Sequence, residues 1–475
     1  MEIASRNRWL YIAGSILIVA LAAVIRIRGA QNDLWLDEIW SLHLASLISR
    51  PLGILTQIHH DNNNYLNTLW LYCLGPHRDS LAYRAPSILA GIGTIILAGF
   101  IGRQRDRTTA VFAMVLATAS YVLILYSCEA RGYAAVIFFS FLSYYLLDGY
   151  LKEQRPVMAL VFSFCVVLGV LFHLIFLNFY FAALVWSAVR LVQSPRSPKQ
   201  ILWGMLLCHA LPIAFLALIY TVDVRGIHQG GGTSFGLMHA SANCLAWAVT
   251  PPAVAWMRPL TSLVTFAVFG AGVFLLWRER SNSAIFFVGV ILVVPVVLAI
   301  VSRMEWIYPR HFVISIAFVL LLFSFTLGRL WNNGRQGKAI CIAALAAYCV
   351  ANSFPLARLF KDGHGHYREA LRYIAAHSQR EADTIGGDHG FRIPMVLQFY
   401  APEVMRDRLV KYYQSDAWPP EGPEWIICHK ESLEDLAPAG TSLTDNSGNR
   451  YEWVKTFPTA PLSGLHWYLY HNLAP

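Results

Sequence analysis

Two adjacent carboxylates, Asp37 and Glu38, stand in the stretch LWLDEIWSLHLA (34–45), among tryptophan and leucine residues. A carboxylate within hydrogen-bond reach of an acceptor hydroxyl can remove its proton and make the oxygen a better nucleophile. The structural alternative has Asp37 as the N-cap of a helix over IWSLHLA and Glu38 as a first-turn acid favoured by the helix dipole. The pair is therefore a candidate for proton transfer or for helix capping.

Three arginines, Arg84, Arg131 and Arg310, lie at or near the ends of apolar runs. The planar fork of arginine matches the oxygens of a phosphate and keeps its charge there. Because the sequence has no glycine motif of the nucleotide-binding kind, carboxylates and arginines beside a membrane favour a lipid phosphate that carries a group to be transferred. Glu129 is a further candidate acid, and a structural ion pair with Arg131 is its alternative.

Histidines and asparagines cluster in HHDNNN (59–64), which contains the candidate cleft residues His60 and Asn63. His173 stands alone in an apolar segment, either as a polar residue satisfied in a turn or as a ligand contact. The adjacent residues 59–61 point in different directions and lack a third spaced metal ligand, so no metal site is predicted. No cofactor is required, and a divalent metal stays open as the alternative. The eight cysteines are scattered without a CxxC pair, so a disulfide framework is not expected.

The elements that must position these residues are membrane helices. Hydrophobic residues make up 56% of the chain and charged residues 14%, and the mean hydropathy is +0.47. Runs of about 17 to 22 apolar residues predict about eleven spans: 9–25, 81–101, 110–126, 132–149, 156–172, 174–192, 201–221, 259–277, 282–301, 311–329 and 339–354. The stretch 156–192 is too long for one helix and predicts a tight hairpin near His173. Two short apolar segments, 63–75 and 244–256, are predicted to be interfacial or re-entrant helices.

The distribution of basic residues orients the chain. With the N-terminus in the cytoplasm, five basic connections face inward: GRQRDR, LKEQRP, RLVQSPRSPK, WRERSN and RLWNNGRQGK. These loops account for the formal net charge of +9, which therefore indicates no nucleic-acid partner. The candidate polar residues then gather at the outer face of a plasma (inner) membrane, and ionisable groups at span ends indicate a wet cleft there.

The composition changes after residue 355, where His, Asp, Glu and Pro become frequent. The sequence predicts a membrane domain over 1–355 and a small extracytoplasmic α/β domain over 356–475. In the second domain HYREALRYIAAHSQ (366–379) has the pattern of an amphipathic helix. Short strands are predicted at TIGGD, RLVKYY, EWIICHK, YEWVKTF and HWYLYH.

The order of these motifs resembles that of the GT-C superfamily of polyprenyl-phosphate-sugar glycosyltransferases. The resemblance rests on the acidic pair 37–38 and on HHDNNNYLNTLWLY, YRAPSILAGIGTI, YSCEARGYA, His173 and YPRHF, in this order. The chain is similar in particular to bacterial relatives of protein O-mannosyltransferase and of the lipid A aminoarabinose transferase. This resemblance implies a polytopic α-helical GT-C fold, a periplasmic or lumenal active site, a dolichyl- or undecaprenyl-phosphate donor and inversion at the anomeric carbon.

The resemblance also implies roles for the acids. Asp37 matches the essential acid of the family, which makes it the expected general base. Glu38, beside it, is expected to shape the pocket or contact the acceptor. Glu129 is expected to be the second acid of the cleft.

The arginine roles come from the same resemblance. Arg131 is expected to be the partner of Glu129 or a phosphate ligand, and Arg310 to touch the donor phosphate. Arg84 matches an arginine shortly before a Pro-Ser pair, with a phosphate-binding or a structural role. The chain departs from the family pattern at 61–64, which replaces a His-Pro-Pro stretch, and at Cys128, where Gln is frequent. These departures leave the sugar and the acceptor open.

The predicted function is transfer of a sugar from a polyprenyl-phosphate donor to a hydroxyl acceptor on a glycan, lipid or protein. The alternatives are a transporter or flippase of lipid-linked glycans and a polysaccharide polymerase. A transporter is expected to show internal repeats and charged or broken helices near the midplane, and no such repeat is visible in the sequence. A polymerase typically carries its key residues in a late outer loop, whereas here they begin at residue 37.

Overall fold

The computed structural model describes residues 2–76, 78–228, 230, 236–251, 256–302, 307–379, 382–414, 417–431, 438 and 440–473. Within these residues the chain forms nineteen α-helices: α1 Glu2–Gly29, α2 Leu36–Ser46, α3 Gly53–Thr56, α4 Tyr65–Leu74, α5 Ser80–Arg103, α6 Arg107–Ala119, α7 Tyr121–Ser127, α8 Tyr133–Glu153, α9 Pro156–Phe172, α10 Leu177–Val192, α11 Pro198–Val222, α12 Leu237–Val249, α13 Met257–Arg278, α14 Ser283–Val288, α15 Val294–Val301, α16 Val313–Trp331, α17 Gly334–Asp362, α18 Tyr367–His377 and α19 Arg392–Val404. Short 3₁₀ turns cover Leu174–Phe176, Val224–Gly226 and Pro309–Phe312, and a π-helical turn covers Gly289–Val293.

The membrane spans follow the predicted apolar runs. Among the described residues, nine helical segments are long and apolar enough to cross a membrane. The pair α6 and α7 makes a further span that is bent by 62°, and α9 is a shorter apolar helix of 17 residues. Together these elements match the predicted runs, so the polytopic helical fold is confirmed. The predicted segment 63–75 contains the shorter helix α4. The predicted segment 244–256 overlaps only the end of α12, which begins at Leu237, and residues 252–255 lie outside the described part of the chain.

The predicted break between two helices at His173 is present. α9 ends at Phe172, and His173 has an extended backbone with φ −169° and ψ 139°. The Nδ1 atom of His173 accepts a hydrogen bond from the backbone N–H of Ile175 at 3.2 Å, which starts the 3₁₀ turn before α10. A polar side chain that satisfies the exposed backbone explains why the chain turns at this residue.

The chain folds into two compact units. The helical unit comprises residues 1–28 and 44–354, and the mixed-sheet unit comprises residues 29–43 and 355–475. Residues 29–43, which the sequence analysis assigned to the membrane domain, therefore cluster with the C-terminal part of the chain. The helical unit contains an aromatic core in which Tyr144 packs against Trp186, Phe286 and Phe318, with ring centroids 4.9 to 5.8 Å apart.

The mixed-sheet unit confirms the predicted α/β character of the tail. Its strands are β1 Ala382–Gly387, β2 Leu409–Tyr413, β3 Trp425–Glu431, β4 Ser442–Thr444, β5 Arg450–Phe457 and β6 Leu465–Asn472, in the order β2-β1-β3-β6-β5-β4. β1 pairs in parallel with β2 and β3, and the remaining pairs are antiparallel. Ile426, Tyr451, Tyr468 and Tyr470 form a buried cluster on this sheet.

Two elements of this unit were not predicted. The helix α19 contains Pro394 at its third position and Pro402 near its end. Because proline lacks the N–H that continues a helix, the sequence of this segment did not predict a helix. The strand β4 has only three residues, too few for an alternating pattern.

Candidate active site

The acidic pair lies at the start of α2, and its two members have different surroundings. The helix begins at Leu36, so Asp37 is its second residue and the N-cap position belongs to Trp35. Glu38 makes the capping bond, because its Oε2 atom accepts the backbone N–H of Trp35 at 3.1 Å. Glu38 is completely buried, whereas Asp37 is partly exposed. Asp37 is therefore not the N-cap residue, and Glu38 is a first-turn acid, as its structural alternative stated.

The segment that carries the pair is anchored within the mixed-sheet unit. Arg368 of α18 donates to Asp33 through its Nη1 atom at 2.7 Å and its backbone N–H at 2.9 Å. The hydroxyl of Tyr400 donates to the carbonyl of Leu34 at 2.9 Å. These bonds hold the backbone immediately before Asp37 and explain why it clusters with α18 and α19.

The loop between α7 and α8 carries Glu129 and Arg131, both of which are buried. Asn67 of α4 donates to the carbonyl of Ala130 at 2.7 Å, and Ser87 of α5 donates to the carbonyl of Arg131 at 2.9 Å. The Nη2 atom of Arg131 donates to Oδ1 of Asn62 at 2.9 Å. The backbone and the guanidinium of this loop are thus fixed by neighbouring elements.

Gly132 allows this loop to pass close to the end of α9. A Cβ atom at Gly132 would lie 2.0 Å from the carbonyl oxygen of Phe172 and 3.0 Å from Oδ1 of Asn64. Only glycine fits this approach, because the nearest atom belongs to backbone that cannot rotate away. The EARG sequence therefore combines two buried charged residues with the glycine that brings them to this position.

The residues of the segment 59–64 form hydrogen bonds within the segment and with neighbouring chain. His60 hydrogen-bonds Asp61 at 2.8 Å through its Nδ1 atom. Burial raises the pKa of the Asp61 carboxyl, but the hydrogen bonds from His60 and from the Gly230 backbone, with the charge of Arg131, hold it below its ordinary value. Asn63 donates through Nδ2 to the carbonyls of Ile54 (2.8 Å) and Ile58 (2.9 Å), so its amide nitrogen stabilises the local chain.

Four titratable residues of the helical unit lie within electrostatic range of His173. His173 interacts electrostatically with Arg131, Arg310, His311 and Asp61. We call these five residues the polar cluster. They come from the segment before α4, the loop after α7, the turn between α9 and α10 and the 3₁₀ turn Pro309–Phe312, which are distant in the sequence. Of the predicted phosphate-binding residues, the cluster contains Arg131 and Arg310.

The other two predicted phosphate-binding arginines, Arg84 and Arg310, differ in their surroundings. Arg84 is completely buried inside α5. Arg310 packs its guanidinium over the ring of Tyr308, 4.5 Å from the centroid, which holds the side chain by a cation–π contact. Among the described residues, no group of three His, Cys, Asp or Glu side chains could hold a metal ion.

The sequence analysis missed Asp223, which is almost completely buried at the end of α11. Its Oδ1 atom pairs with Nδ1 of His59 at 2.5 Å, and its Oδ2 atom accepts the hydroxyl of Tyr65 at 2.5 Å. Two backbone bonds also join the segments, from His228 to His59 and from Asp61 to His228. The signal was present in the sequence, because an acid at a span end in TVDVRG is unusual.

Comparisons with known proteins identify similar folds. No protein-family model and no curated protein sequence matches the chain. The solved structure of ArnT, the aminoarabinose transferase of Cupriavidus metallidurans, in the apo state matches 99% of this chain and 99% of its own, with a TM-score of 0.52 and 13% identity. The chain has the GT-C fold.

Two further structures with the GT-C fold contain lipid phosphates. ArnT of Cupriavidus metallidurans bound to undecaprenyl phosphate has a TM-score of 0.51 and 13% identity, covering 96% of this chain and 97% of ArnT. The archaeal oligosaccharyltransferase AglB of Archaeoglobus fulgidus, in complex with an inhibitory peptide and a dolichol-phosphate, has a TM-score of 0.50 and 10% identity. It covers 89% of this chain and 69% of AglB. The GT-C resemblance predicted from the motifs is confirmed.

Proposed function

We propose that this protein is an inverting membrane glycosyltransferase that moves a sugar from a polyprenyl-phosphate donor to a hydroxyl acceptor at the outer face of a plasma (inner) membrane. The observation that carries the proposal is the polar cluster of a GT-C fold. Arg131 and Arg310 both interact electrostatically with His173 in this cluster. The lipid phosphates held by the similar structures ArnT and AglB support a donor of this class.

The arginines have the chemistry that the leaving group needs. When the bond between the anomeric carbon and the phosphate oxygen breaks, negative charge develops on the phosphate, and fixed guanidinium groups stabilise it. Arg131, oriented by Asn62, and Arg310, packed on Tyr308, are the proposed phosphate ligands. Arg84 is proposed to support the helix in which it is buried. Glu129 is proposed as a second acid beside Arg131.

The proton of the acceptor hydroxyl must go to a base. We assign this role to Asp37, because its carboxylate is partly exposed and does not occupy the cap position. One displacement then completes the reaction: the hydroxyl proton moves to Asp37, the acceptor oxygen bonds to the anomeric carbon and the polyprenyl phosphate leaves. A single displacement inverts the configuration. Within the polar cluster, His173 is proposed to contact the donor, and His60 acts through Asp61.

The decisive experiment is an assay of purified protein with a panel of polyprenyl-phosphate sugars and membrane-extracted acceptors. We expect one donor to yield free polyprenyl phosphate and a glycosylated acceptor. Arg131→Lys and Arg310→Lys keep the charge but lose the fork. Because one strongly placed electrostatic contact contributes about 10²- to 10³-fold to turnover, each variant should lose activity of this order.

The matched control is Arg335→Lys, an arginine at the predicted inner end of α17, which should transfer sugar normally. If both cluster variants were as active as the wild type, neither arginine would be the phosphate clamp. Movement of intact donor across vesicles without release of polyprenyl phosphate would instead identify a flippase.

A further inference from the structure

A break in a membrane helix lies directly before the loop that carries Glu129 and Arg131. α6 ends at Ala119, α7 begins at Tyr121, and their axes are bent by 62°. Ser120 between them has an extended backbone, with ψ 113°, which interrupts the helical hydrogen bonds. In a bilayer, backbone groups released by such a break need partners within the protein.

Asn352 and Tyr348 of α17 supply partners at the break. Asn352 is 2% exposed, and its Oδ1 atom accepts the backbone N–H of Tyr121 at 2.9 Å. Its Nδ2 atom donates to the carbonyls of Val249 (2.7 Å) and Tyr348 (2.9 Å). The hydroxyl of Tyr348 donates to the carbonyl of Leu116 at 3.4 Å. One amide side chain thus bonds to three segments of the bundle.

Arg26, in the last turn of α1, supplies further partners, and Oγ of Ser120 accepts the backbone N–H of Leu123 at 3.4 Å. The Nη2 atom of Arg26 donates to the carbonyl of Ala117 in α6 at 3.4 Å, and its Nε atom donates to Oγ of Ser127 in α7 at 3.2 Å. Its Nη1 atom donates to the carbonyl of Ala22 in its own helix at 3.4 Å. An arginine that is 1% exposed within a span is costly unless such groups surround it. A single guanidinium therefore ties α1 to both halves of the broken helix.

Further contacts lie at the end of α7, where the α7–α8 loop with Glu129 and Arg131 begins. The thiol of Cys128 donates to the backbone carbonyl of Arg26 at 3.3 Å. Gly91 of α5 leaves room for the pair, because a Cβ atom there would lie 2.1 Å from Oγ of Ser127 and 2.8 Å from Nε of Arg26. Since Glu129–Arg131 follows at once, the direction of α7 decides where this loop lies.

We propose that Arg26 and Asn352 are positioning residues. By satisfying the backbone groups released at the α6–α7 break, they hold residues 129–131 in the geometry that the donor phosphate requires. The kinetic part of this inference rests on the proposed function, whereas its structural part does not. Neither residue belongs to a motif that suggested chemistry in the sequence.

The test uses Arg26→Met and Asn352→Leu in the full chain, with two readouts. The first is turnover of the polyprenyl-phosphate sugar found in the donor panel. A small displacement of the reacting groups lowers turnover by about 10- to 100-fold, and we expect a loss of this size in kcat for both variants. Arg26→Lys should recover part of it, because the charge stays while the fork is lost.

The second readout is the rate at which N-ethylmaleimide labels Cys128 in the absence of any substrate. Cys128 is completely buried in the native chain. Loss of a hydrogen bond from a charged group raises the population of locally open states by about tenfold, so Cys128 should be labelled correspondingly faster in Arg26→Met. The control Arg28→Met replaces an exposed arginine of the same helical turn and should change neither readout.

The readouts separate this inference from the proposed function. Faster labelling of Cys128 with no sugar transfer by any form of the protein would support the positioning role and refute the transferase. A loss of transfer while Cys128 stays protected would overturn the positioning role. Labelling of Cys208 and Cys341, buried in α11 and α17, together with Cys128 would show support of the whole bundle and would also overturn it.

Discussion

At the scale of single residues, the acidic pair divides into a capping acid and a candidate base. Glu38 accepts the backbone N–H of Trp35, as an acid at the third position of a helix does in a capping box. Asp37, one residue earlier, is partly exposed at the first turn of α2. Asp37 is therefore not the N-cap residue of this helix, and its proposed role as the base can be tested separately from the capping bond of Glu38.

Asp37→Asn tests this assignment. The substitution keeps the size and hydrogen-bonding capacity of the side chain, so the protein should fold and bind donor lipid. A general base contributes about 10²- to 10⁴-fold in rate, and turnover by the purified variant should fall by that factor. Glu38→Gln keeps an oxygen for the Trp35 N–H and should lose less. Near-normal turnover by Asp37→Asn would move the search for the base to Glu129 or Glu38.

A second residue-scale prediction concerns His466 on β6. This side chain is 1% exposed, and its Nδ1 atom accepts the backbone N–H of Thr459 at 2.9 Å. Burial, with the charges of Arg358 and Lys430, lowers its pKa to about 4. In the unfolded chain the pKa is about 6.5, so the unfolded state binds more protons between these values. The free energy of unfolding of the mixed-sheet unit should therefore decrease by up to about 3 kcal/mol as the pH falls from 6.5 to 4.

Hydrogen exchange of β6 peptides in the full chain can measure this loss. At pH 7 the wild type and His466→Gln should have similar protection, since glutamine can also accept the Thr459 N–H. At pH 5 the wild type should exchange faster than the glutamine variant, which has no proton to gain. Equal exchange of both proteins at both pH values would show that His466 does not control this response.

At the scale of elements, close approaches between helices set the position of the α7–α8 loop, which carries Glu129 and Arg131. The α7–α8 loop passes within backbone contact of the end of α9, and α5 and α6 approach where Gly102 faces Ala110. Small residues permit such approaches between membrane helices, where packing drives association. We therefore expect a substitution at a glycine that faces backbone to move the loop with Arg131. A substitution at a glycine that faces a flexible side chain should leave the loop in place.

Two glycine variants distinguish these cases. In Gly132→Ala the added methyl group meets the Phe172 carbonyl, so α8 or α9 must move at a cost of about 1–3 kcal/mol. We expect a lower melting temperature and a loss of turnover. In Gly99→Ala the nearest atom is Sδ of Met114, 2.8 Å away on a side chain that can rotate, so activity should persist. Equal activity of both variants would contradict the proposed constraint.

At the scale of the whole molecule, the distribution of basic loops predicts the orientation in the membrane. The five inner connections are rich in Lys and Arg, and the α-helical spans between them are largely free of charge. From this asymmetry we predict that the N-terminus lies in the cytoplasm and the mixed-sheet unit outside.

Reporter fusions test the predicted orientation. A reporter that is active only after export should be active when fused after the last residue, Pro475. The same reporter fused within the basic connection 193–197 should be inactive, since that loop is predicted to face the cytoplasm. A cytoplasmic signal from the C-terminal fusion would reverse the assignment of every loop.

The sequence alone determined the elements whose pattern is local. Apolar runs of spanning length predicted the membrane helices, because a bilayer demands about 20 apolar residues from each span. Alternating residues predicted five strands of the sheet, and the order of the charged motifs indicated the GT-C fold. In each case the physical requirement acts on neighbouring residues, so it is visible in a short stretch of the chain.

Only the tertiary structure decided which side chains meet. It showed that Glu38 accepts the backbone N–H of Trp35 and that Arg131 and Arg310 belong to the same polar cluster. It also brought Asp223 to His59 and Arg26 to Ser127, pairs that are 164 and 101 residues apart in the chain. The helix α19 was not predicted, because its prolines disfavour a helix in a local pattern. Tertiary packing can override such a weak local preference. Such pairings depend on long-range contacts and on backbone groups released at helix breaks, and no local pattern in the sequence encodes them.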